Sequence, residues 1–477
     1  MFWRQTSPDA SSNPAAARQS RLRPKLSRRV ARWVNRAINL SVLGFLLFAI
    51  LGGMFQRWRF FADVHRRQAM GDKVLVTDFV TVSPPDDQNA AIYILKAIEQ
   101  LQLNPHQEWL IGDVESYGLS REAKSFVVQY RTAHPQIELL LHKAQTCPEV
   151  DWHVKWRSPA LEVDAAYLKR QREFARFLYA VGICQHEAGD DVAALQTAQD
   201  IFFLAHAVDT RSTFIGHLVA NGLENMGANF CLRVCDPATS PAARDNQNFG
   251  AVAQPLIVDL CDDAQFRRRF DAGLRADRMV MVDAIIHLPT SRFSAFCLNY
   301  PIFSGARALL EDYDGWIRGA ALPSWPAAAA LVRAERPRPE PFLVIYMGPS
   351  LRRVFLLEYE TEAERHAAAI AIACRLYADD HEGKWPPDLP ALVPDYLPAI
   401  PCDPFDAKLR PMKYLPGNPP AIYSISIDGI DNKGDRMGAI RYHDGFSYNP
   451  WLSPDAVLPI GGVVEPAEKR PLEHPDE

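Results

Sequence analysis

The feature that most constrains this chain is an uncharged apolar stretch near its amino terminus. Residues 37–55 read AINLSVLGFLLFAILGGMF and contain no Asp, Glu, Lys or Arg. As an α-helix, this stretch would extend about 28 Å, close to the ~30 Å hydrocarbon thickness of a bilayer. It therefore predicts a single transmembrane helix, and membrane lipid is the first expected partner.

Basic residues on the amino-terminal side predict the orientation of this helix. Residues 1–36 carry nine Arg or Lys side chains and one acid, Asp9. Because basic flanks stay in the cytoplasm, we expect the amino terminus inside and residues 56–477 outside, with the protein in a bacterial inner membrane. Four arginines between residues 57 and 67 weaken this asymmetry without reversing it. The polar segment 1–36 is expected to be a disordered cytoplasmic tail.

Two other interpretations of the same stretch are a cleaved signal peptide and a twin-arginine signal. Cleavage requires a small-x-small site after the apolar core, whereas this core runs into Gln56-Arg57-Trp58. Ser27-Arg28-Arg29 precedes the core, but Val30-Ala31-Arg32 lacks the apolar pair usual in twin-arginine signals. We therefore expect an uncleaved, single-pass anchor.

Charge and cysteine content limit the function classes. The whole chain has a formal charge of −5, and residues 1–55 contribute +8, so residues 56–477 carry −13. An acidic exterior argues against nucleic acid as a partner. Eight cysteines are spread without a spacing that identifies disulfides. Cys231 and Cys235 lie one turn apart on a predicted helix, where we expect packing rather than a disulfide.

The expected fold class is mainly α, with a small α+β domain at the carboxyl end. Residues 56–88 form a juxtamembrane segment, in which Val74 to Val80 are expected to be a short strand. Residues 89–334 show helical periodicity, clearest within 161–235, and indicate a helical bundle or a repeat-like domain. Gly189 is expected to end one helix, and Asp190 to cap the next.

The remaining boundaries follow from composition. Proline and alanine dominate residues 322–341, which make this region the best linker candidate. Residues 335–358 are interpreted as linker and the start of a long helix, and residues 359–446 as the α+β domain. Tyr423, Ile425 and Ile427 alternate with serines, which predicts a half-buried strand. Residues 447–477 are expected to be a disordered tail.

A series of short motifs carries the one family resemblance. These motifs are Asp379-Asp380-His381-Glu382-Gly383, Lys384-Trp385-Pro386-Pro387, Leu392-Val393-Pro394, Pro401-Cys402-Asp403-Pro404-Phe405 and Ile422 to Gly429. Their order resembles the carboxyl-terminal domain of the major pseudopilin of type II secretion, and implies a helix followed by a small antiparallel sheet. A pseudopilin anchor adjoins this domain, whereas here the anchor lies about 300 residues upstream. The whole layout resembles that of uncharacterised bacterial membrane-anchored proteins.

The resemblance also implies a calcium site after the last strand of the motif series. Ser424, Asp428 and Gly429 match the family pattern, and Asp431 or Asp435 would supply further oxygen ligands. Calcium prefers six to eight such hard oxygens. The alternative is an Asp-Gly turn between strands, which needs no metal.

The sequence contains no complete catalytic motif. Glu362 and His366 lie four residues apart on a predicted helix, and Asp379, Asp380, His381 and Glu382 follow about four turns further on. These side chains suit metal binding, but the pattern favours a solvated face. Asp262 and Asp263 are interpreted as helix caps. The expected function is therefore a non-enzymatic interaction or scaffold role in the bacterial envelope, with an envelope protein as partner. The alternatives are an accessory component of a secretion or pilus-like machine and an unrecognised extracytoplasmic hydrolase using acids of the helical domain.

Overall fold

The fold is mainly helical, with a small antiparallel sheet near the carboxyl end. The computed structural model describes residues 28–160, 167–211, 213–236, 246–288, 292–334, 351–436, 440–442 and 446–462. Within them the helices are α1 Arg28–Ala69, α2 Val76–Phe79, α3 Ala90–Gln100, α4 Pro105–Ile111, α5 Val114–Tyr117, α6 Arg121–Ala133, α7 Gln136–Gln145, α8 Tyr167–Glu187, α9 Asp191–Asp209, α10 Phe214–Val234, α11 Asn246–Leu260, α12 Asp263–Ile286, α13 Arg292–Ala320, α14 Trp325–Ala334 and α15 Leu351–Asp380.

Short strands follow α15. They are β1 Lys413–Leu415, β2 Ala421–Ser424, β3 Ile440–Tyr442, β4 Phe446–Tyr448 and β5 Ala456–Pro459. The central strand β2 pairs antiparallel with β1 on one side and with β5 on the other, while β3 and β4 form a separate antiparallel pair. Ala421, Tyr423 and Val457 form a small apolar cluster on the three-stranded sheet, covered by Leu415.

The chain divides into two compact units. The first comprises residues up to Arg59 together with residues 290–303, and the second comprises residues 60–289 and 304–477. In the first unit, the apolar side chains of α1 are largely exposed; Phe45 and Phe48, for example, are 66% and 63% exposed. Among the described residues, α1 is the one helix long and apolar enough to cross a membrane.

Two glycines permit a close approach within the first unit. A Cβ placed on Gly53 would lie 2.9 Å from the Cβ of Asn299, and one on Gly52 would lie 3.0 Å from the ring of Tyr300. Both partners belong to α13. Small residues allow helices to pack closely where large side chains would separate them. The amino-terminal part of α13 therefore packs against α1 at the end of the apolar stretch.

The core of the second unit is built from long helices. α8, α9 and α10 pack against one another in sequence, and α15 packs against α10 and α11. The turn between α8 and α9 is the predicted one: Gly189 has φ +86°, and the Asp190 side chain accepts the Ala193 amide. Cys231 and Cys235 are buried free thiols, as expected.

Several predicted elements differ from the structure. Val74 to Val80 do not form a strand, because the Asp78 carboxylate accepts the amides of Val74 and Leu75 and the chain enters the helix α2. Helix α1 begins at Arg28, so the end of the predicted disordered tail is helical. Residues 1–27 lie outside the described residues.

The carboxyl-terminal half of the chain requires similar corrections. The first part of the predicted linker is helical, since it contains α14, while residues 335–350 lie outside the described part of the chain. The predicted disordered tail contributes β5, which pairs with β2, and residues 463–477 are not described. The predicted alternation in β2 is wrong. The strand ends at Ser424, both Ser424 and Ser426 are buried, and Ile427 is exposed.

Candidate functional site

Helix α15 carries an unusual number of buried charged side chains. The side chains of the following six residues are all buried: Glu358, Glu360, Glu362, Arg365, His366 and Arg375. Buried charges are costly unless they are paired and hydrogen-bonded. Most of these side chains have partners on α9, α10 and α12, and these networks fix α15 against those helices, whereas Glu360 pairs with Arg353 of α15 itself.

One network surrounds a buried histidine. The Nδ1 of His217 lies 3.0 Å from Asp209, its Nε2 lies 3.1 Å from Glu358, and Asn221 donates to the same Glu358 oxygen at 2.7 Å. Burial lowers the pKa of His217, but the two carboxylates outweigh this effect and raise it to about 10. His217 is therefore a permanent imidazolium between two acids.

A second network centres on Glu224 of α10. Its carboxylate accepts from Arg365 at 2.6 Å and from Arg269 at 2.7 Å, and His206 lies 3.0 Å away. Burial raises the pKa of Glu224, but the Arg365 charge and the other cations bring it well below its usual value. The two networks place one anion among several cations and one cation between two anions, and they hold helices of the fold together, although Oε1 of Glu358 is buried without a hydrogen-bond partner.

A third cluster of charged side chains lies at the start of α12 and in the middle of α15. We call it the acid–histidine cluster, and it consists of Asp263, Arg267, Glu362 and His366. One oxygen of each carboxylate and one ring nitrogen of His366 all lie within 4.8 Å of one another. Glu362 and His366 are each 2% exposed, while the Asp263 side chain is 31% exposed. The cluster is thus buried on the α15 side and reaches solvent on the α12 side.

The members of the cluster have defined partners. The Nδ1 of His366 lies 2.8 Å from the carbonyl oxygen of Cys402, and its Nε2 lies 2.7 Å from Oδ1 of Asp263. Arg267 donates to Oε1 of Glu362 and lies 3.7 Å from Oδ2 of Asp263. The second carboxylate oxygen of Glu362, Oε2, is buried without a hydrogen-bond partner.

The two acids of the cluster have pKa values shifted in opposite directions. Burial raises the pKa of Glu362 to about 7, against the lowering effects of His366 and Arg267. Burial also raises the pKa of Asp263, but its hydrogen bond to His366 and the neighbouring cations bring the net pKa below its usual value. The pKa of His366 is lowered by burial and raised on balance by Asp263.

The cluster shows where the sequence was informative and where it was misleading. The spacing of Glu362 and His366 identified two of its members, but their interpretation as a solvated face is wrong, since both are buried. Asp262 caps α12 through the Gln265 amide, as expected, whereas Asp263 turns toward His366. No motif pointed to Arg267.

The predicted calcium ligands lie in or beside the loop after β2. The Ser424 hydroxyl is buried and donates to Asp403 at 2.8 Å. Asp428 accepts the Ile430 amide at 2.9 Å in a local turn. Asp431 accepts the Lys433 amide and the Tyr423 hydroxyl, and lies 3.4 Å from Lys413 Nζ.

Asp435 is the last residue of the predicted calcium set. Its carbonyl oxygen accepts the amide of buried Asp455 at 3.3 Å. The Asp455 carboxylate in turn accepts the Asn432 and Gly434 amides, so it organises the loop from within. Within the described residues, the one group of three His, Cys, Asp or Glu side chains whose ligand atoms lie close enough to share a metal ion is the acid–histidine cluster. The calcium site stays a prediction.

A cavity with a mixed polar and apolar lining lies elsewhere in the second unit. It has a volume of about 330 Å³ and is lined by Asp151, His153, Lys155 and Arg211, among others. Arg211 lies 2.8 Å from Glu149 and 3.6 Å from Asp151, so these acids offset its charge. His153 and Arg211 both have φ near +54°, a conformation that costs energy for a side chain other than glycine. The sequence carried no signal for this cavity.

Comparison with known proteins does not extend this description. No protein-family model, curated protein or solved structure matches the chain. The molecule is defined by its own features as a mainly helical protein with one helix suited to a membrane, a small antiparallel sheet and a partly buried acid–histidine cluster.

Proposed function

We propose that this protein is a single-pass, membrane-anchored protein of the bacterial inner membrane, whose folded part lies outside the cytoplasm and binds an envelope partner as an interaction or scaffold module. The observation that carries the proposal is α1. Its apolar side chains between Ile38 and Phe55 are largely exposed to the surroundings, and a helix of this length and composition is stable with that surface in lipid.

The carboxyl end of α1 supports the idea of an anchored module. Phe60 and Val64 of this helix are fully buried in the second unit, and Arg67 forms an ion pair with Asp314. Folded structure therefore starts within about one helical turn of the apolar stretch. An anchor of this kind holds its domain near the membrane surface without a long tether.

Topology reporters test the proposal. Alkaline phosphatase fused after residue 477 should be active, because it matures only outside the cytoplasm, while a green fluorescent protein at the same place should stay dark. The same pair fused at the amino terminus should give the opposite result. A fluorescent carboxyl-terminal fusion, or a full-length chain in the soluble fraction, would contradict the proposal. Replacing the basic residues of segment 1–36 with Gln should weaken the orientation.

Affinity capture addresses the partner. The full chain, solubilised in mild detergent, should retain an envelope protein that a chain with only residues 1–59 does not. Retention of secretion or pilus components would favour the accessory role that the pseudopilin resemblance of residues 359–446 implies. Equal capture by both chains would argue against a scaffold role for the folded part.

The acid–histidine cluster supports a second candidate, an extracytoplasmic hydrolase. Asp263 and Glu362 are two converging carboxylates with opposed pKa shifts, an arrangement typical of sites that use one acid and one base. A panel of chromogenic esters and phosphate esters tests this activity. Turnover should fall at least a hundredfold in Glu362→Gln and persist in His142→Gln, which changes an exposed histidine far from the cluster in sequence. Equal turnover in both variants would remove this candidate.

A further inference from the structure

We propose that Asp263, Glu362 and His366 form a binding site for a first-row divalent metal ion, with zinc as the reference ion, in which three protein ligands leave one coordination position open. The proposal is independent of the membrane-anchored scaffold function. It starts from the convergence of one atom from each residue within 4.8 Å.

The ligand types select the class of ion. One imidazole and two carboxylates form a set that zinc accepts, and three protein ligands with an open fourth position are typical of zinc sites that bind water or substrate. Calcium prefers oxygen ligands in higher number, so an imidazole in a set of three disfavours it. The site therefore differs in chemistry from the predicted calcium loop at residues 424–435.

The outer end of each ligand is already held in place. The Cys402 carbonyl lies 2.8 Å from Nδ1 of His366, so the Nδ1–H tautomer leaves Nε2 as the ligand atom. Arg267 donates to Oε1 of Glu362 and lies 3.7 Å from Oδ2 of Asp263. Hydrogen bonds of this kind orient the ligands in metal sites and fix their protonation state.

The ligand atoms that face the centre of the cluster are suited to hold a cation between them. Oε2 of Glu362 is buried without a partner, although a buried carboxylate oxygen normally accepts a hydrogen bond or binds a cation. Nε2 of His366 lies 2.7 Å from Oδ1 of Asp263, and these two acceptors share a proton at that distance. A metal ion that replaced the proton would use both atoms and the orphaned Oε2.

The required movement is on the order of an ångström, since the three ligand atoms lie within 4.8 Å of one another and must converge on the ion. Metal–ligand distances of about 2.0–2.2 Å in a tetrahedral site separate neighbouring ligand atoms by roughly 3.3 Å. Nε2 and Oδ1 would therefore move apart by about half an ångström. Asp263 is the first residue of α12 and its side chain is 31% exposed, so it can make this adjustment and also gives the ion a route from solvent.

Arg267 is the one feature that opposes a cation here. Its guanidinium faces Glu362 Oε1 and Asp263 Oδ2, the oxygens that the metal does not need. Two carboxylates and one guanidinium still leave the site with a net negative charge when His366 is neutral. Arg267 therefore reduces the affinity for the ion while it orients both acids.

The test uses the full chain in detergent, stripped with a chelator and titrated with Zn²⁺ by calorimetry and with Co²⁺ by absorption. The wild-type chain should bind one ion, and Co²⁺ should give the visible bands of a low-coordinate nitrogen–oxygen site without the near-ultraviolet band of a cobalt thiolate. His366→Gln and Asp263→Asn should each lower the affinity for Zn²⁺ at least tenfold. A hundredfold excess of Ca²⁺ should not displace the ion.

Controls separate the cluster from adventitious binding. His142→Gln removes an exposed histidine that lies 3.7 Å from Asp200, and it should keep the wild-type affinity. Asp263→Asn changes a part-exposed side chain, and its circular dichroism should match that of the wild type. The proposal fails if a folded Asp263→Asn binds Zn²⁺ as tightly as the wild type, or if His142→Gln abolishes binding.

Discussion

At the scale of single residues, the acids of α15 owe their properties to burial. Glu364 is partly buried and accepts a hydrogen bond from Nε1 of Trp451 at 2.7 Å. Loss of water around the carboxyl group raises its pKa from 4.5 to about 8, and the Trp451 hydrogen bond only partly offsets this. The folded state thus holds this proton at a pH where the unfolded chain has released it.

This shift predicts how Glu364→Gln depends on pH. Between pH 4.5 and 8 the folded wild type binds more protons than the unfolded chain, so its stability falls as pH rises through this window. Glutamine keeps an acceptor for Trp451 but cannot ionise. The variant should therefore gain stability relative to the wild type as pH rises from 4.5 to 8, and keep that gain above pH 8. Urea unfolding at pH 5 and pH 8.5 measures the difference, and an equal offset at both pH values would contradict it.

Helical glycines give a second prediction at this scale. A Cβ on Gly227 of α10 would lie 2.8 Å from the Phe202 ring of α9, whereas one on Gly250 of α11 would lie 3.9 Å from its nearest neighbour, Leu376. Gly227→Ala should cost about 1–3 kcal/mol of unfolding free energy through overpacking. Gly250→Ala, the matched control, should be neutral or stabilise by about 0.5–1 kcal/mol. Chemical denaturation of both variants tests the contrast, and equal effects would contradict it.

The sequence correctly predicted the roles of residues whose hydrogen-bond partners are close in the chain. Gly189, Asp190 and Asp262 act at helix ends as expected, because a cap needs only amides two or three residues away. The burial of Glu362 and His366 depends on partners 95 and 36 residues distant. The spacing of residues within α15 does not show which distant residues contact it. A buried site and a solvated face can therefore have the same sequence pattern.

At the scale of elements, long periodic helices were predictable and short strands were not. The helical periodicity within residues 161–235 corresponds to α8, α9 and α10. However, α9 and α10 are buried on most sides rather than along one stripe, because several helices pack around them. Val74 to Val80 were misread because the Asp78 side chain takes amides that a strand would offer to a neighbour. β5 was missed because four residues in a proline- and acid-rich segment become a strand only beside β2.

The close packing of α13 on α1 yields a prediction about these two elements. Gly53→Val should separate them, because a Cβ at this position would lie 2.9 Å from Asn299, while Gly44→Val has nothing within 4 Å to meet. Limited proteolysis of the full chain in detergent should cleave residues 290–303 at least several times faster in Gly53→Val. The Gly44→Val control, in the same helix, should match the wild type. Identical cleavage rates in both variants would show that the approach is not restrictive.

At the scale of the whole molecule, one helix serves two roles. α1 carries the exposed apolar stretch, and its last turns are part of the second unit. There Phe60 and Val64 are fully buried, Arg67 pairs with Asp314, and Asp63 lies 2.8 Å from Arg307. From the sequence, residues 56–88 are predicted to be a juxtamembrane segment. The ion-pair partners of Arg67 and Asp63 lie on α13, 247 and 244 residues further along the chain.

This dual role predicts where the chain can be cut. A fragment of residues 57–477 keeps Phe60, Val64 and Arg67, and should unfold cooperatively. A fragment of residues 72–477 loses two buried apolar side chains, worth about 3–5 kcal/mol for Phe and 1–3 kcal/mol for Val. It also leaves Asp314 and Arg307 without these partners. Because domains are stable by only about 5–15 kcal/mol, the shorter fragment should melt at a much lower temperature or fail to fold. Thermal unfolding followed by circular dichroism compares the two fragments. Equal melting temperatures would mean that the end of α1 is an accessory to the fold rather than a part of its core.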